Sequence, residues 1–217
     1  MTALTSRAFL FDLDGVVVDS NQLHVDSWAA VAERHGHPLL QPDYIGKCGL
    51  RTTAVIRELL RWPVSEAEAR QIGLEKETIY RDWIRAGGID AIPGVVDFIR
   101  RARELGVPCA VASSAPRANL DLCVEALGLA SCFQATVSGE DVTRGKPAPD
   151  IFLAAAAALG VEPNQCVVFE DAPAGVQAAR AASMAVIALT TSHLPAELAQ
   201  ADQIVPDFTK LDPSRLL

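Results

Sequence analysis

Apolar residues run unbroken through Phe9-Leu10-Phe11, give way at Asp12-Leu13-Asp14-Gly15, and resume at Val16-Val17-Val18. A short continuous apolar run halted by glycine predicts a buried strand over 8–12. Its carboxyl end presents two acids two positions apart. Alternate strand residues project to one face, so Asp12 and Asp14 are expected to share a small space, and a hard divalent cation is the obvious group to neutralise them.

From Asn21 to Gly88 the periodicity turns helical. Trp28, Val31 and Ala32 make one stripe, and His35-Gly36-His37-Pro38 ends it, because glycine and proline stop a helix. A second helix is predicted from Thr52 to Arg61 and broken at Pro63. Ser65-Glu66-Ala67-Glu68 has the Ser-x-x-Glu form of a capping box, which opens a third helix toward Ala86 before Gly87-Gly88 closes the block.

Beyond Pro93 helix and strand alternate. Pro93-Gly94 opens a helix with Val95, Phe98, Ile99, Ala102 and Leu105 inward, Gly106 ends it, and Pro108 to Ala112 reads as a buried strand. The pattern repeats as helix 117–127, strand 133–138, helix 150–159, strand 166–169, helix 173–182 and strand 185–189. Alanine's helix propensity accounts for the run Ala154 to Ala158. Near-continuous apolar strands between helices predict an α/β fold, a doubly wound parallel sheet covered on both faces. Because the helical block interrupts this sheet directly after its first strand, the expected organisation is a core of residues 1–16 and 91–217 with a helical cap of residues 17–90.

Composition narrows the partners. With 217 residues, 50% hydrophobic and 21% charged, the chain can bury a sizeable core. A net charge of -8, from 19 basic and 27 acidic residues, argues against nucleic acid, which needs a concentrated basic stripe. An anionic small substrate remains compatible, since local charges set a pocket's field. Five cysteines, at 48, 109, 123, 132 and 166, show no zinc spacing and read as reduced, mostly buried thiols. Asp12 cuts short the first apolar stretch, so no secretory segment is expected, and nothing approaches a membrane span. The expectation is a cytoplasmic monomer with no membrane or nucleic-acid partner.

The chemistry gathers where strands end, as this architecture favours. Strand one leads to Asp12, the next to Ser113-Ser114, the fourth to Glu170-Asp171, and Gly145-Lys146-Pro147 enters a helix. A carboxylate nucleophile, a hydroxyl, a lysine and an acidic pair suit phosphoryl transfer, in which positioning and charge neutralisation do most of the work. Asp12-Leu13-Asp14-Gly15-Val16, Ser113, Lys146-Pro147-Ala148-Pro149-Asp150 and Glu170-Asp171 together resemble the four ordered motifs of the haloacid dehalogenase-like (HAD) hydrolase superfamily, over nearly the whole chain. The cap after strand one and the phrase Lys-Pro-x-Pro-Asp-Ile-Phe are most similar to its β-phosphoglucomutase-like and sugar-phosphatase branch.

The resemblance implies that Asp12 attacks phosphorus to form an aspartyl-phosphate. It makes Asp14 the general acid and base, with its backbone carbonyl, rather than its side chain, on a Mg2+ ion. Asp12 and Asp171 would complete the protein ligands, with Glu170 as direct or water-mediated support. Ser113 and Lys146 would hold the phosphoryl oxygens, and Lys146 would keep the packed acids ionised. In the cap, His24 matches a histidine that manages the proton of the sugar hydroxyl, and Arg51 (in Gly49-Leu50-Arg51) and Lys76 match basic positions that meet a second anionic group on the substrate. Ser114 and Arg117 complete the expected substrate-binding set.

Plainer readings compete. Asp12-x-Asp14-Gly15 lacks the sixth-position glycine and the closing glutamate of a calcium loop. Ser113 and Ser114 are suited to cap the helix after Pro116, and Glu170-Asp171 to cap the one at Pro173. Lys146 taken alone, and Arg51 and Lys76, have the alternative of solvated side chains. One departure from the branch bears on function. β-Phosphoglucomutases follow the motif serine with a Ser-Lys pair that grips the distal phosphate, whereas this chain reads Ser113-Ser114-Ala115-Pro116-Arg117, with the basic residue displaced and the backbone restricted by proline. The reading is a Mg2+-dependent hydrolase of a small phosphorylated metabolite, a sugar phosphate, with mutase-type phosphotransfer as runner-up. A metal-independent dehalogenase and a non-catalytic phosphate-binding module fit less well, because Asp14, Lys146 and Glu170-Asp171 are all present. The cap is expected to move on connectors near 16–18 and 89–93, where Gly15 and Gly87-Gly88 give backbone freedom.

Overall fold

The computed structural model describes residues 7–46 and 50–217; Cys48 and Gly49 lie outside the described residues. Six strands form one parallel sheet: β1 (Ala8–Phe11), β2 (Cys109–Ala112), β3 (Ala135–Val137), β4 (Cys166–Glu170), β5 (Ala185–Leu189) and β6 (Gln203–Val205). Their order is β3-β2-β1-β4-β5-β6, and Phe11 lies between Val111 and Phe169 in the register. The order reverses beside β1, between the crossovers that lead outward to either edge, and in such sheets ligands bind beyond the carboxyl ends of the strands at that point.

Helices cover both faces, as the apolar strands require. Phe9 and Phe11 of β1 join a cluster with Val95, Phe98 and Ile99 of α5 (Val95–Glu104) and Leu120 and Cys123 of α6 (Arg117–Ala126). Ala8 and Leu10 join the opposite cluster with Ile151 and Phe152 of α7 (Asp150–Leu159) and Val176 and Ala179 of α8 (Pro173–Ala181). Leu105 does not point inward as its spacing predicts. It follows the last residue of α5 and is 36% exposed, because the chain turns at Gly106 (φ 76°) and leaves the helical stripe. The short edge strand β6 has no counterpart in the sequence pattern: three residues, none buried, carry no apolar run.

Between β1 and α5 the chain forms α1 (Asn21–His35), α2 (Pro42–Ile45), α3 (Thr52–Ala54) continuing as a π-helix over Val55–Leu60, and α4 (Glu66–Gly87). The segment from Thr52 is thus not a regular α-helix; the wider π turn places Val55, Ile56 and Leu60 together in the apolar cluster. Ser65 and Glu68 form the predicted capping box. These helices bury a cluster of their own, including Trp28, Val31, Ile45, Val55, Ile56, Trp62 and Ile72. The two segments that join the block to the sheet run side by side, with Asp19 N donating to Asp90 O at 2.9 Å and Ile92 N to Val17 O at 3.1 Å. Among the described residues no helix is long and apolar enough to cross a membrane, and the four described cysteines are free and buried.

Candidate active site

β1 ends at Phe11, so Asp12 and Asp14 are delivered by the turn that follows rather than by the strand itself. Asp12 N donates to Phe169 O at 3.0 Å, keeping Asp12 in line with the end of β4, while Gly15 N donates to Val18 O at 2.8 Å and closes the turn. Gly15 is required twice over. Its φ is 74°, and a Cβ there would lie 2.0 Å from Asp171 Oδ2. Gly175 plays the matching part in α8, where a Cβ would fall 1.7 Å from Glu170 Oε1.

Asp12, Glu170 and Asp171 are all buried, and each offers an oxygen within 4.8 Å of the others'. Among the described residues one ammonium pairs with them: Lys146 Nζ donates to Asp12 Oδ1 at 2.7 Å and to Glu170 Oε1 at 2.6 Å. Glu170 Oε2 accepts from the backbone N–H groups of Asp171 and Ala172 at 2.9 and 3.0 Å. Both Glu170 oxygens are therefore occupied within the protein. Burial, together with Glu170 and Asp14, outweighs Lys146 and pushes Asp12 up to about 7. Burial, together with Glu170 and Asp12, raises Asp171 well above the carboxylate range, against a hydrogen bond from Ser192 and the charge of Lys146. The trio is short of positive charge, and its all-oxygen donor set fits a hard divalent cation such as Mg2+.

Asp14 stands apart from the trio. Its Oδ1 accepts from Ser20 Oγ at 2.6 Å and lies 3.0 Å from His24 Nε2. Burial works against its charge, yet His24, Ser20 and Lys76 outweigh it and hold Asp14 down to about 2. Lys76 Nζ lies 2.7 Å from His24 Nδ1. Lysine only donates, so Nδ1 accepts and Nε2 carries the proton that faces Asp14. The imidazole stacks on Tyr80 at 4.4 Å, which fixes its plane.

Asp12, Asp14, Asp171, Ser113, Ser114, His24 and Lys76 line one cavity of about 70 Å³; Lys146 and Glu170 stand behind Asp12. Lys76 is buried, not solvated. Neither serine caps α6: Ser113 Oγ accepts from Ala115 N at 3.1 Å, and Pro116 stands at the cap position. The remaining two expected substrate ligands are turned away from the cavity wall. Arg51 donates to the backbone carbonyls of Val142 (2.7 Å) and Thr143 (3.3 Å). Arg117 donates to Thr136 Oγ1 at 2.6 Å and pairs with Asp141. A flexible guanidinium settles on nearby carbonyls and acids that the sequence does not reveal as neighbours.

Other residues at the site carry no motif. Glu77, Asn119 and Thr52 line the cavity. Thr191 Oγ1 donates to Gly15 O at 2.6 Å, and Asn21 Nδ2 to Ser192 Oγ at 2.9 Å. The signal for the Thr191-Ser192 pair was available, since both follow β5, a strand whose carboxyl end faces the same crevice.

A model of the haloacid dehalogenase-like hydrolases matches residues 6–183. Over 215 residues the chain is 31% identical to validoxylamine A 7'-phosphate phosphatase of Streptomyces hygroscopicus subsp. limoneus, covering 94% of this chain and 95% of that protein. Hexitol phosphatase A of Escherichia coli (strain K12) is 32% identical over 207 residues, covering 94% and 93%. The crystal structure of β-phosphoglucomutase from Clostridium difficile has the same fold, with a TM-score of 0.84 over 97% of this chain and 95% of that one at 24% identity. The chain belongs to the haloacid dehalogenase-like hydrolases, and these curated relatives, at 31 and 32% identity, are phosphatases. It is an enzyme, a phosphatase or a closely related phosphomutase.

Proposed function

We propose that the chain hydrolyses a small sugar phosphate with Mg2+ bound, through an aspartyl-phosphate on Asp12. The observation that carries this reading is the buried trio of Asp12, Glu170 and Asp171, offset by Lys146 alone among them, on the cavity that Asp14 also lines. Asp12 and Asp171 would hold the ion, together with the backbone carbonyl of Asp14; Glu170, spent on Lys146 and two N–H groups, supports the shell. The ion supplies charge neutralisation for the crowded acids and the phosphoryl oxygens.

The rest follows from the chain's own groups. Lys146 holds one Asp12 oxygen, which leaves the other to attack phosphorus. Ser113 and Ser114 donate to the phosphoryl oxygens. In the resting geometry Asp14 is ionised, so it is ready as the base that takes a proton from water when the phospho-enzyme is hydrolysed. For the earlier acid step a phosphate dianion beside Asp14 raises its proton affinity; His24 Nε2, 3.0 Å away, passes its proton to Asp14 as the Lys76 ammonium, 2.7 Å from Nδ1, passes one of its own to the other ring nitrogen, so that the imidazole stays neutral. Acid and base assistance of this kind is typically worth about 10²–10⁴-fold.

Residues 17–90 act as the cap, which excludes water while the leaving group departs and admits it afterwards; the paired connectors at 17–19 and 90–92 are its hinge. The named relatives, phosphatases of a validoxylamine 7'-phosphate and of hexitol phosphates, support a phosphorylated polyol or sugar as substrate. The buried free thiols support a reducing compartment, the cytoplasm. Phosphate release from a panel of sugar phosphates, with Mg2+ and again with EDTA, tests the reading. Undiminished turnover after chelation overturns the metal, and isomerisation of a glucose phosphate that outpaces release makes the protein a mutase.

A further inference from the structure

Three hydrogen-bond donors from three elements converge on one point of the cavity wall. Lys76 Nζ of α4 lies 3.3 Å from each carboxylate oxygen of Glu77. Thr52 Oγ1 of α3 donates to Glu77 Oε1 at 2.5 Å, and Asn119 Nδ2 of α6 donates to Oε2 at 2.6 Å. Arg81 donates to Asn119 Oδ1 at 2.7 Å and so turns the amide N–H groups toward Glu77. An ammonium, a hydroxyl and an oriented amide around one small volume are what a receptor for an anionic group is made of. The anion received here is part of the chain.

We propose that Glu77 is a built-in anion that fills a second anion-binding position of the cavity, so that the enzyme selects phosphate esters whose remaining part is uncharged and hydroxylated and turns away a second phosphate. The inference rests on the phosphatase reading above and adds the substrate class. A second phosphate at this wall would meet a buried carboxylate instead of free donors, and opposed like charges in a desolvated place are strongly unfavourable. A sugar hydroxyl, donor and acceptor at once, meets Glu77 and Lys76 without that cost. Arg51, expected with Lys76 to meet a second anion, and Arg117, expected in the substrate-binding set, hydrogen-bond instead at Val142, Thr143, Thr136 and Asp141.

The test compares kcat/KM for glucose 6-phosphate and glucose 1,6-bisphosphate in the Mg2+-loaded protein, with para-nitrophenyl phosphate as a general substrate. Wild type is expected to favour the monophosphate by at least about tenfold, a modest toll for one like-charge encounter. Glu77→Ala exposes Lys76, Thr52 and Asn119 and is expected to shrink that preference by about tenfold or reverse it, through a lower KM for the bisphosphate. Gain of affinity is not a result that structural damage produces. Glu77→Gln keeps the shape without the charge and reads the same ratio if the alanine variant does not fold, and the wild-type ratio needs no variant at all. Equal use of both sugars by wild type, or an equal loss on both in the variants, overturns the proposal. Absence of turnover with all three esters strikes the phosphatase reading itself, a separate result.

Discussion

Lys146 is the one ammonium within reach of three buried carboxylates among the described residues. Removing one member of a buried charge network leaves the others uncompensated and costs about 3–5 kcal/mol. Lys146→Ala is therefore expected to lower the unfolding free energy obtained from urea titration by an amount of that order and to abolish turnover, measured in parallel on the same preparation. Asp14 predicts a different outcome. Its carboxylate is turned to Ser20 and His24, away from the trio, so Asp14→Asn should remove nearly all phosphate release while calorimetry still finds Mg2+ bound; retained turnover would take Asp14 out of the proton transfers. At this scale the sequence is legible where residues cluster in motifs with fixed spacing, as with Asp12, Asp14 and Glu170-Asp171. Glu77 and Asn119 meet across 42 positions, and neither carries a local pattern, because their pairing is decided by how the helices pack.

Elements were legible to the degree that their signal is local. The capping box at Ser65 and the stop at Gly36 (φ 65°) need only a few neighbouring residues to operate, and both stand where the sequence puts them. Ser65→Ala removes the acceptor for the Glu68 N–H, and the expected loss is about 1 kcal/mol in thermal or urea unfolding. The buried strands announce themselves as apolar runs. β6 does not, since an edge strand buries little and its pairing to β5 comes from the sheet rather than from its own residues. The π turn at Val55–Leu60 is likewise a tertiary choice, made so that three apolar side chains reach one cluster.

For the whole molecule, the contact between the helical block and the sheet depends on pH through Glu77. Burial opposes its charge, but Lys76, His24, Thr52 and Asn119 prevail and hold it below the ordinary glutamate value of 4.5. A depressed folded-state pKa contributes stability that is fully present above the unfolded value and is lost as pH falls through the folded one. Urea midpoints measured from pH 6 downward should therefore fall below the ordinary glutamate range, and Glu77→Gln should flatten that part of the profile. The fold class was readable from the alternation of helix and apolar strand alone. The disposition of the cavity wall was not, because it joins residues from α1, α3, α4 and α6 that no periodicity relates.

The helices between β1 and α5 enclose an apolar cluster distinct from the two that flank the sheet. Trp28, Ile45 and Val55 belong to that cluster and also line the cavity. A change among these three side chains is expected to alter which ester the cavity admits before it alters the acids at the strand ends.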